Sequence, residues 1–369
     1  MAELQTAGSS EVRNGLSMLR RCMAGIGVGN LSLLSALGIA MAIVVIKQPL
    51  FLSWQNLLNS IAQNIAIVGL LALGETVVVI GAGIDISIGS IASVTSVTSA
   101  LVVVNGAFGG FLAGSMEIGV VSAILLGALL GFVNGVFITF LRVAPIIATL
   151  GTLAGFAGLA FLLAPGGKPV GVGTQEGLMS LGSKRFLTGV PVPKLGGTDW
   201  TGIPVLFMIL IIAVVCFHIL MRYTRFGRAV YSIGGNEKAA HLAGINVRRV
   251  KLLMYSLAGG SAGLAGVLLT ARTTSGNPIN GVGLELLAIT AVFLGGASMS
   301  GGAGTIMGTV LAVTLIGVVN NGLNLTGVQT YYQQVVLGAL LVSAVALNQW
   351  RQARAERAET RLMSRSPED

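Results

Sequence analysis

The sequence predicts an all-α integral membrane protein of about ten transmembrane helices. Hydrophobic residues make up 54% of the 369-residue chain and charged residues only 9%, and the mean hydropathy is +0.87. Because such a small number of charged residues cannot cover a globular surface, lipid must solvate much of the chain. The apolar runs are uninterrupted over about twenty residues, which indicates helices rather than the alternating strands of a barrel.

Ten apolar runs have a length suited to a membrane span. In chain order the predicted spans are 24–46, 59–80, 87–105, 118–141, 145–164, 203–221, 251–271, 283–299, 303–320 and 331–349. The first run is too long for an ordinary signal-peptide core and further spans follow it, so we interpret it as an uncleaved helix. These spans form one transmembrane domain, residues 24–349, between a tail at 1–23 and a basic tail at 350–369.

An even number of spans places both termini on one side of the membrane. Sixteen of the 22 Lys and Arg residues fall on that side when the tails, Arg142, the loop 222–250 and the adjoining Lys251 are counted. The predicted side is the cytoplasm, because loops rich in Lys and Arg stay inside. The same asymmetry accounts for the net charge of +9 and the pI near 10.1 without any nucleic-acid binding.

Two hydrophilic loops are long. The outer loop, residues 165–202, is rich in Gly and Pro and is expected to be a solvated connector, with a docking surface for an extracytoplasmic partner as the alternative. The inner loop, residues 222–250, contains good helix formers from Asn236 that end at Gly244. We predict a short helix there with Gly244 as its C-terminal cap, suited to a groove on another protein.

Small residues predict how some helices pack. Gly127, Gly131 and Gly135 recur at four-residue spacing in one span, and Gly259 and Gly263 do so in another. This spacing allows close helix approach, so packing is the expected role.

A faint repeat follows two glycine-rich breaks in the chain. Gly89-Ser90-Ile91 follows the first break and Gly304-Thr305-Ile306 follows the second. The repeat suggests a duplicated bundle with broken helices.

No catalytic chemistry is predicted. Gly166-Gly167-Lys168 is followed by Pro169 and does not form a phosphate-binding loop. The two histidines, His218 and His241, have no neighbouring cluster of metal ligands. We therefore expect a protein that is not an enzyme and has no cofactor or metal, and the two cysteines suggest no disulfide framework.

Two carboxylates, Glu75 and Asp85, stand in a very apolar region among glycines. A charge at membrane depth costs several kcal/mol unless it faces protein or water, so such residues are functional candidates. We predict that 81–89 breaks the helix path beside a translocation route. Asp85 would then accept N–H groups at the start of the next helix.

The same hypothesis gives roles to three further residues. Ser87 and Ser90 would offer hydroxyl groups near that helix start, and Glu285 is a weaker candidate because it could reach water at the outer end of its span. The alternative is that Asp85 lies in a cytoplasmic hairpin, solvated or capping the helix.

Four motifs carry a family resemblance. They are GIDISIGS (83–90), the segment 227–247 that ends in SIGGNEKAAHLAGINV (232–247), VFLGGASMSGGAGTIMGT (292–309) and NNGLNLTGVQTYYQQVVLG (320–338). Together they resemble the permeases of bacterial sugar-importing ABC transporters of the ribose, xylose, arabinose and autoinducer-2 type. The resemblance implies a subunit in the bacterial inner membrane that translocates a monosaccharide or related small polar solute.

The resemblance also implies partners. These are a cytoplasmic ATP-binding subunit, a periplasmic sugar-binding protein and a second copy or sister permease. The family's ATPase-coupling pattern falls on Glu237, Ala239, Ala240 and Gly244. The chain departs from the family pattern at Ile86, Ile88 and His241, which leaves the solute open.

Two rival classes fit parts of the sequence. An ion-coupled secondary transporter of a small polar solute would also use Glu75 and Asp85 in broken helices. It would need no docking helix at 236–244, however. A channel or scaffold would show no ATP-dependent uptake.

Overall fold

The computed structural model describes residues 28–106, 115–173, 176–329 and 331–343, together with residues 345, 346 and 349. Most of the described chain is helical. Its named helices are α1 Val28–Lys47, α2 Gln63–Ile80, α3 Ile88–Asn105, α4 Met116–Thr139, α5 Pro145–Leu163, α6 Glu176–Ser183, α7 Val205–Tyr223, α8 Arg225–Gly235, α9 Glu237–Leu242, α10 Val247–Thr273, α11 Leu284–Leu294 and α12 Ile306–Leu325. Residues 331–343 are also helical.

Short irregular elements join some of these helices. Pro49–Leu52 and Pro165–Gly167 form 3₁₀ turns, and a π-helical turn, Asn56–Ala62, runs directly into α2. The described residues include four two-residue strands: β1 Val170–Gly171, β2 Arg185–Phe186, β3 Ile203–Pro204 and β4 Ser275–Gly276. β1 pairs antiparallel with β4, and β2 pairs antiparallel with β3.

The prediction of an all-α membrane protein is confirmed. Within the described residues, seven helices are long and apolar enough to cross a membrane: Asn56–Ile80, Ile88–Asn105, Met116–Thr139, Pro145–Leu163, Val205–Tyr223, Val247–Thr273 and Ile306–Leu325. Leu31–Lys47 and Leu284–Leu294 are shorter apolar helices. The predicted span 331–349 and both predicted tails lie partly or wholly outside the described residues.

The glycine-rich faces of α4 and α10 are packing faces, as predicted, and the structure shows that they pack against each other. A β-carbon on Gly127 would collide with the backbone of Gly259 and Gly263, and one on Gly131 would collide with the backbone of Tyr255. A β-carbon on Gly259 would in turn collide with the backbone of Gly127. The two helices therefore cross in backbone contact, which only glycine allows at these positions.

Helix α11 is shorter than the predicted span 283–299. It has 11 residues and is about 16 Å long, roughly half of what a membrane crossing needs. Its start at Gly283 has a φ of 84°, and the chain after Leu294 turns at Gly296 with a φ of 89°. Both conformations favour glycine, so the helix is bounded by turns on each side.

The bundle has two distinct ends. Helices α8 and α9 follow α7 directly and lie at what we call the α9 end. At the opposite end, the α6 end, a β-carbon on Gly182 of α6 would touch Ala271 near the end of α10. The loop 165–202 packs on this end, where the rings of Trp54 and Trp200 meet edge to face at 4.8 Å.

Candidate functional site

The chain between α2 and α3 forms a packed break inside the bundle. Ala82 has a φ of 60°, and β-carbons on Gly81 and Gly83 would strike Met254 and Tyr255 of α10. Met254 lies about 10 Å along α10 from its first residue. The break is therefore held against α10, and a side chain at either glycine would have to displace Met254 or Tyr255.

The break holds a buried cluster of polar side chains. The backbone N–H of Asp85 donates to Glu75 Oε1 at 3.1 Å. Asp85 Oδ1 accepts the Ser87 N–H at 2.9 Å and the Ser87 hydroxyl at 2.6 Å. Asn134 Nδ2 of α4 donates to Asp85 Oδ2 at 3.2 Å and to Ser87 Oγ at 2.7 Å. These four side chains are fully buried.

This geometry agrees with one part of the sequence hypothesis, the contact of Asp85 with a helix start, and excludes the solvated form of the alternative. Ser87 is the residue immediately before α3, so Asp85 does accept an N–H group at a helix start. The alternative of a solvated Asp85 is wrong, because neighbouring helices enclose the carboxylate. The ion pairs in the described part of the chain lie elsewhere, at Lys194–Asp199 and Lys251–Glu237.

Ser90 and Glu285 lie near the same helix start but make other contacts. The Ser90 hydroxyl donates to the carbonyl of Ser87 at 2.8 Å. Glu285 Oε1 accepts the Gly283 N–H at 3.1 Å, and its side chain faces Gly89, where a β-carbon would collide with Oε2. Glu285 is buried, so the expectation that it reaches water at the end of a span is wrong.

Sequence reasoning missed Asn134. It is an isolated amide in the apolar helix α4, between Gly131 and Gly135. A lone polar residue in a membrane helix signals an interior contact. That signal was available, but its partner, 49 residues away in the chain, could not be identified without the fold. Two acceptors of the cluster, Glu75 Oε2 and Asn134 Oδ1, are buried without a hydrogen-bond partner.

The predicted helix in the inner loop is confirmed as α9. The Asn236 side chain accepts the Ala239 N–H at 3.0 Å at the start of the helix. At its end, Gly244 N–H donates to His241 O and Ile245 N–H donates to Ala240 O, with a Gly244 φ of 83°. This is the Schellman arrangement that glycine favours.

The coupling residues named from the sequence do not all face outward. Glu237, Ala239 and Gly244 are exposed, whereas Ala240 is buried. Glu237 also pairs with Lys251 at 2.7 Å. The sequence did not single out Leu242, the last residue of α9, whose side chain is 87% exposed. An exposed leucine on a short polar helix is a candidate contact with another protein.

Helix α8 contacts two breaks in the helix path. The first is the break between α2 and α3, and the second is the segment 295–305 between α11 and α12. Gly234 packs against the carbonyl of Ile80 and the N–H of Gly302, and those two groups bond each other at 2.8 Å. The Tyr231 hydroxyl donates to Gly304 O at 2.8 Å. Burial raises the pKa of Tyr231, against the opposing effect of Arg222, so the hydroxyl remains a donor.

Comparison with known proteins gives the chain relatives over most of its length. It is 42% identical over 319 residues to the ribose import permease protein RbsC of Bacillus subtilis (strain 168), covering 85% of this chain and 91% of that protein. It is 34% identical to the D-allose transport system permease protein AlsC of Escherichia coli (strain K12), covering 81% of this chain and 84% of that protein.

A third relative covers nearly the whole chain. The L-arabinose transport system permease protein AraH of Escherichia coli (strain K12) is 34% identical, covering 95% of this chain and 98% of that protein. No solved structure matches the chain. The resemblance to sugar-importer permeases is confirmed. Since these relatives are transport permeases, the chain is not an enzyme.

The family assignment follows from a match that spans most of the chain. The profile described as the permease component of the branched-chain amino acid transport system matches residues 57–345. This range includes the broken segments, the buried cluster and α9. The chain therefore belongs to this family of transport-system permease components.

Proposed function

We propose that the chain is the membrane subunit of an ABC importer for a monosaccharide or a related small polar solute. A separate cytoplasmic subunit would hydrolyse ATP, and a periplasmic binding protein would deliver the solute. Two permease copies, or this chain and a sister permease, would form the pore. The relatives described above, which are permeases for ribose, D-allose and L-arabinose, support a sugar as the solute.

The observation that carries the proposal is α9. Its glycine cap ends the helix sharply, and Leu242 projects from it at 87% exposure. Nothing within 4 Å would touch a β-carbon on Gly244, so this surface is free to receive another protein. A self-sufficient carrier has no use for such a helix. An ATP-binding subunit needs such a helix, because it must push on the permease from outside the membrane.

The proposal includes an orientation. Both termini and the α9 end face the cytoplasm, and the α6 end faces the periplasm. The distribution of Lys and Arg supports this assignment. The loop 165–202 then lies where a binding protein would dock.

The roles of Glu75, Asp85, Ser87, Ser90 and Glu285 on the translocation route remain part of the proposal. Their burial supports a function beside the route, in holding the broken helices, rather than direct contact with the solute. Helix α8 touches both breaks through Gly234 and Tyr231. A displacement of α9 by the ATP-binding subunit would therefore be transmitted to both breaks by α8.

The test removes the exposed apolar contact without disturbing the fold. Leu242→Ser should leave the amount of permease in the membrane unchanged and strongly reduce copurification of the ATP-binding subunit. Val190→Ser is the matched control, since Val190 is also an exposed apolar residue but lies in the loop 165–202. Normal copurification and uptake with Leu242→Ser would contradict the docking role of α9.

Gly244→Ala is a second, independent test of the docking role of α9. A side chain in the left-handed conformation strains the backbone by roughly 1–2 kcal/mol. We expect a frayed α9 and weaker ATPase binding in a permease that still inserts. Unchanged binding would make the loop a simple connector.

A further inference from the structure

A cavity of about 610 Å³ lies between α2, α11, α12 and the helical residues 331–343. It lies toward the α6 end, because Asn320 in its wall is about 21 Å along α12 from the start of that helix. Val282 and Leu286 in its wall are more than half exposed, so the cavity opens at the surface of the single chain. Its volume falls in the range of about 300–1,000 Å³ typical of small-molecule sites.

The cavity wall is unusually rich in side-chain amides. Six line it: Asn64, Asn320, Asn321, Asn324, Gln333 and Gln334. Glu285 is not in the wall, although its neighbours Leu284 and Leu286 are. An amide buried in a membrane protein is costly unless it has a partner. Asn321 and Gln333 are buried and Asn320 is partly buried, whereas Asn64, Asn324 and Gln334 are exposed, so amides line the cavity both inside and at its mouth.

Some of these amides are held in fixed positions. Asn321 and Asn56 exchange two hydrogen bonds, of 2.9 and 2.8 Å, and Asn56 begins the π-helical turn before α2. Gln333 Nε2 donates to Asn324 Oδ1 at 2.9 Å. Asn320 Oδ1, by contrast, is buried without a hydrogen-bond partner. The wall thus combines a rigid frame with an acceptor that a solute could use.

The chemistry of the wall selects for a neutral solute. None of the described residues that line the cavity has an ionisable side chain. A sugar offers hydroxyl groups that both donate and accept, as amides do. An amino acid would bring an ammonium group, which would lose its water with no carboxylate in the wall to pair with. Arg272 lies beside the wall, where its guanidinium donates to Asn64 Oδ1.

We propose that this amide-lined cavity is the membrane-embedded binding site for a neutral polyhydroxylated solute, with Asn320 as a specificity-determining contact. The inference rests on the proposed function, which makes the α6 end the side from which the solute arrives. It assigns a solute-contacting role to the NNGLNLTGVQTYYQQVVLG motif, 320–338. The site would reject amino acids despite the description of the matched family.

The first experiment measures uptake into cells that express the complete transport system. Labelled D-ribose, D-allose, L-arabinose and L-leucine are offered in turn to the unaltered permease. Asn320→Asp, which adds charge with little change in size, should lower uptake of the transported sugar at least tenfold at equal membrane levels. Asn105→Asp is the matched control, because Asn105 is exposed at the end of α3, and its uptake should stay within twofold.

The second experiment does not depend on transport. In a chain with Cys22→Ser and Cys216→Ser, Leu286→Cys is modified by a methanethiosulfonate reagent in membrane vesicles that contain the whole system, because Leu286 is an exposed wall residue whose replacement keeps all six amides. The transported sugar should slow the modification severalfold, and L-leucine should not.

The outcomes separate the inference from the function it rests on. Sugar uptake that Asn320→Asp leaves unchanged, or modification of Leu286→Cys that the sugar does not slow, overturns the cavity assignment while sugar import stands. Uptake of L-leucine in place of the sugars overturns the proposed function and the assignment with it.

Discussion

Glu75 accepts the backbone N–H of Asp85, ten residues further along the chain, at 3.1 Å. The contact joins α2 to the chain that follows it. The two buried carboxylates, Glu75 and Asp85, therefore fix the backbone of the turn between α2 and α3. Asn134 joins that turn to α4, and Met254 and Tyr255 of α10 pack against it. The cluster thus ties a broken helix to the most closely packed helix pair in the described bundle.

Asp85→Asn should destabilise the protein. The new amide group would face Asn134 Nδ2, so two donors would meet where a donor and an acceptor met before. We expect a loss of about 1–3 kcal/mol in unfolding free energy, measured by unfolding in detergent. Ser90→Ala is the control, and its effect should be smaller because Ser90 bonds only within its own turn.

An exchange of the two side chains tests the same contact more closely. Asp85→Asn combined with Asn134→Asp restores a donor–acceptor pair and should recover part of the lost stability. Unchanged stability with Asp85→Asn, together with a loss of uptake, would instead mean that Asp85 lines the route.

Gly259→Ala should weaken the crossing of α4 and α10. The added methyl group would collide with the backbone of Gly127, and overpacking of this kind costs about 1–3 kcal/mol. Gly155→Ala on α5 is the same substitution at a site where nothing lies within 4 Å of the new β-carbon. It should be neutral or slightly stabilising, since Ala favours helix by up to about 1 kcal/mol. Equal unfolding midpoints for the two variants would contradict the close crossing.

Tyr231→Phe should separate docking from transport. It removes the hydroxyl that bonds Gly304 and keeps the ring, a loss of about 0.5–1.5 kcal/mol at one contact. We expect normal copurification of the ATP-binding subunit but reduced uptake per permease, because α8 would transmit motion to the second break less firmly. Tyr223→Phe, at an exposed tyrosine, should change neither measurement. Full uptake with Tyr231→Phe would remove α8 from the coupling route.

Reporter fusions should find residues 185 and 238 on opposite sides of the membrane. Residue 185 lies in β2 at the α6 end, residue 238 lies in α9, and α7 runs between them. A periplasmic signal at 185 and a cytoplasmic signal at 238 are expected. Both signals on one side would contradict the topology.

The features that depend on local chemistry could be predicted from the sequence alone. Apolar run length and low charge predicted a helical membrane protein. Gly244 predicted the end of α9, because a left-handed cap needs only a glycine and its neighbours. The glycine spacing in α4 and α10 identified two close-packing faces, since a face depends only on helical periodicity.

The contact partners of those faces and of the polar residues became known only from the tertiary structure. The contact of Asn134 with Asp85 spans 49 residues and that of Asn56 with Asn321 spans 265, and no local pattern encodes such partners. The tertiary structure also decided that α11 is a half-length helix with Glu285 buried against Gly89, although its apolar run is as long as a span. Hydrophobicity reports whether a segment prefers lipid or protein to water, and both a crossing helix and a buried half-helix satisfy it.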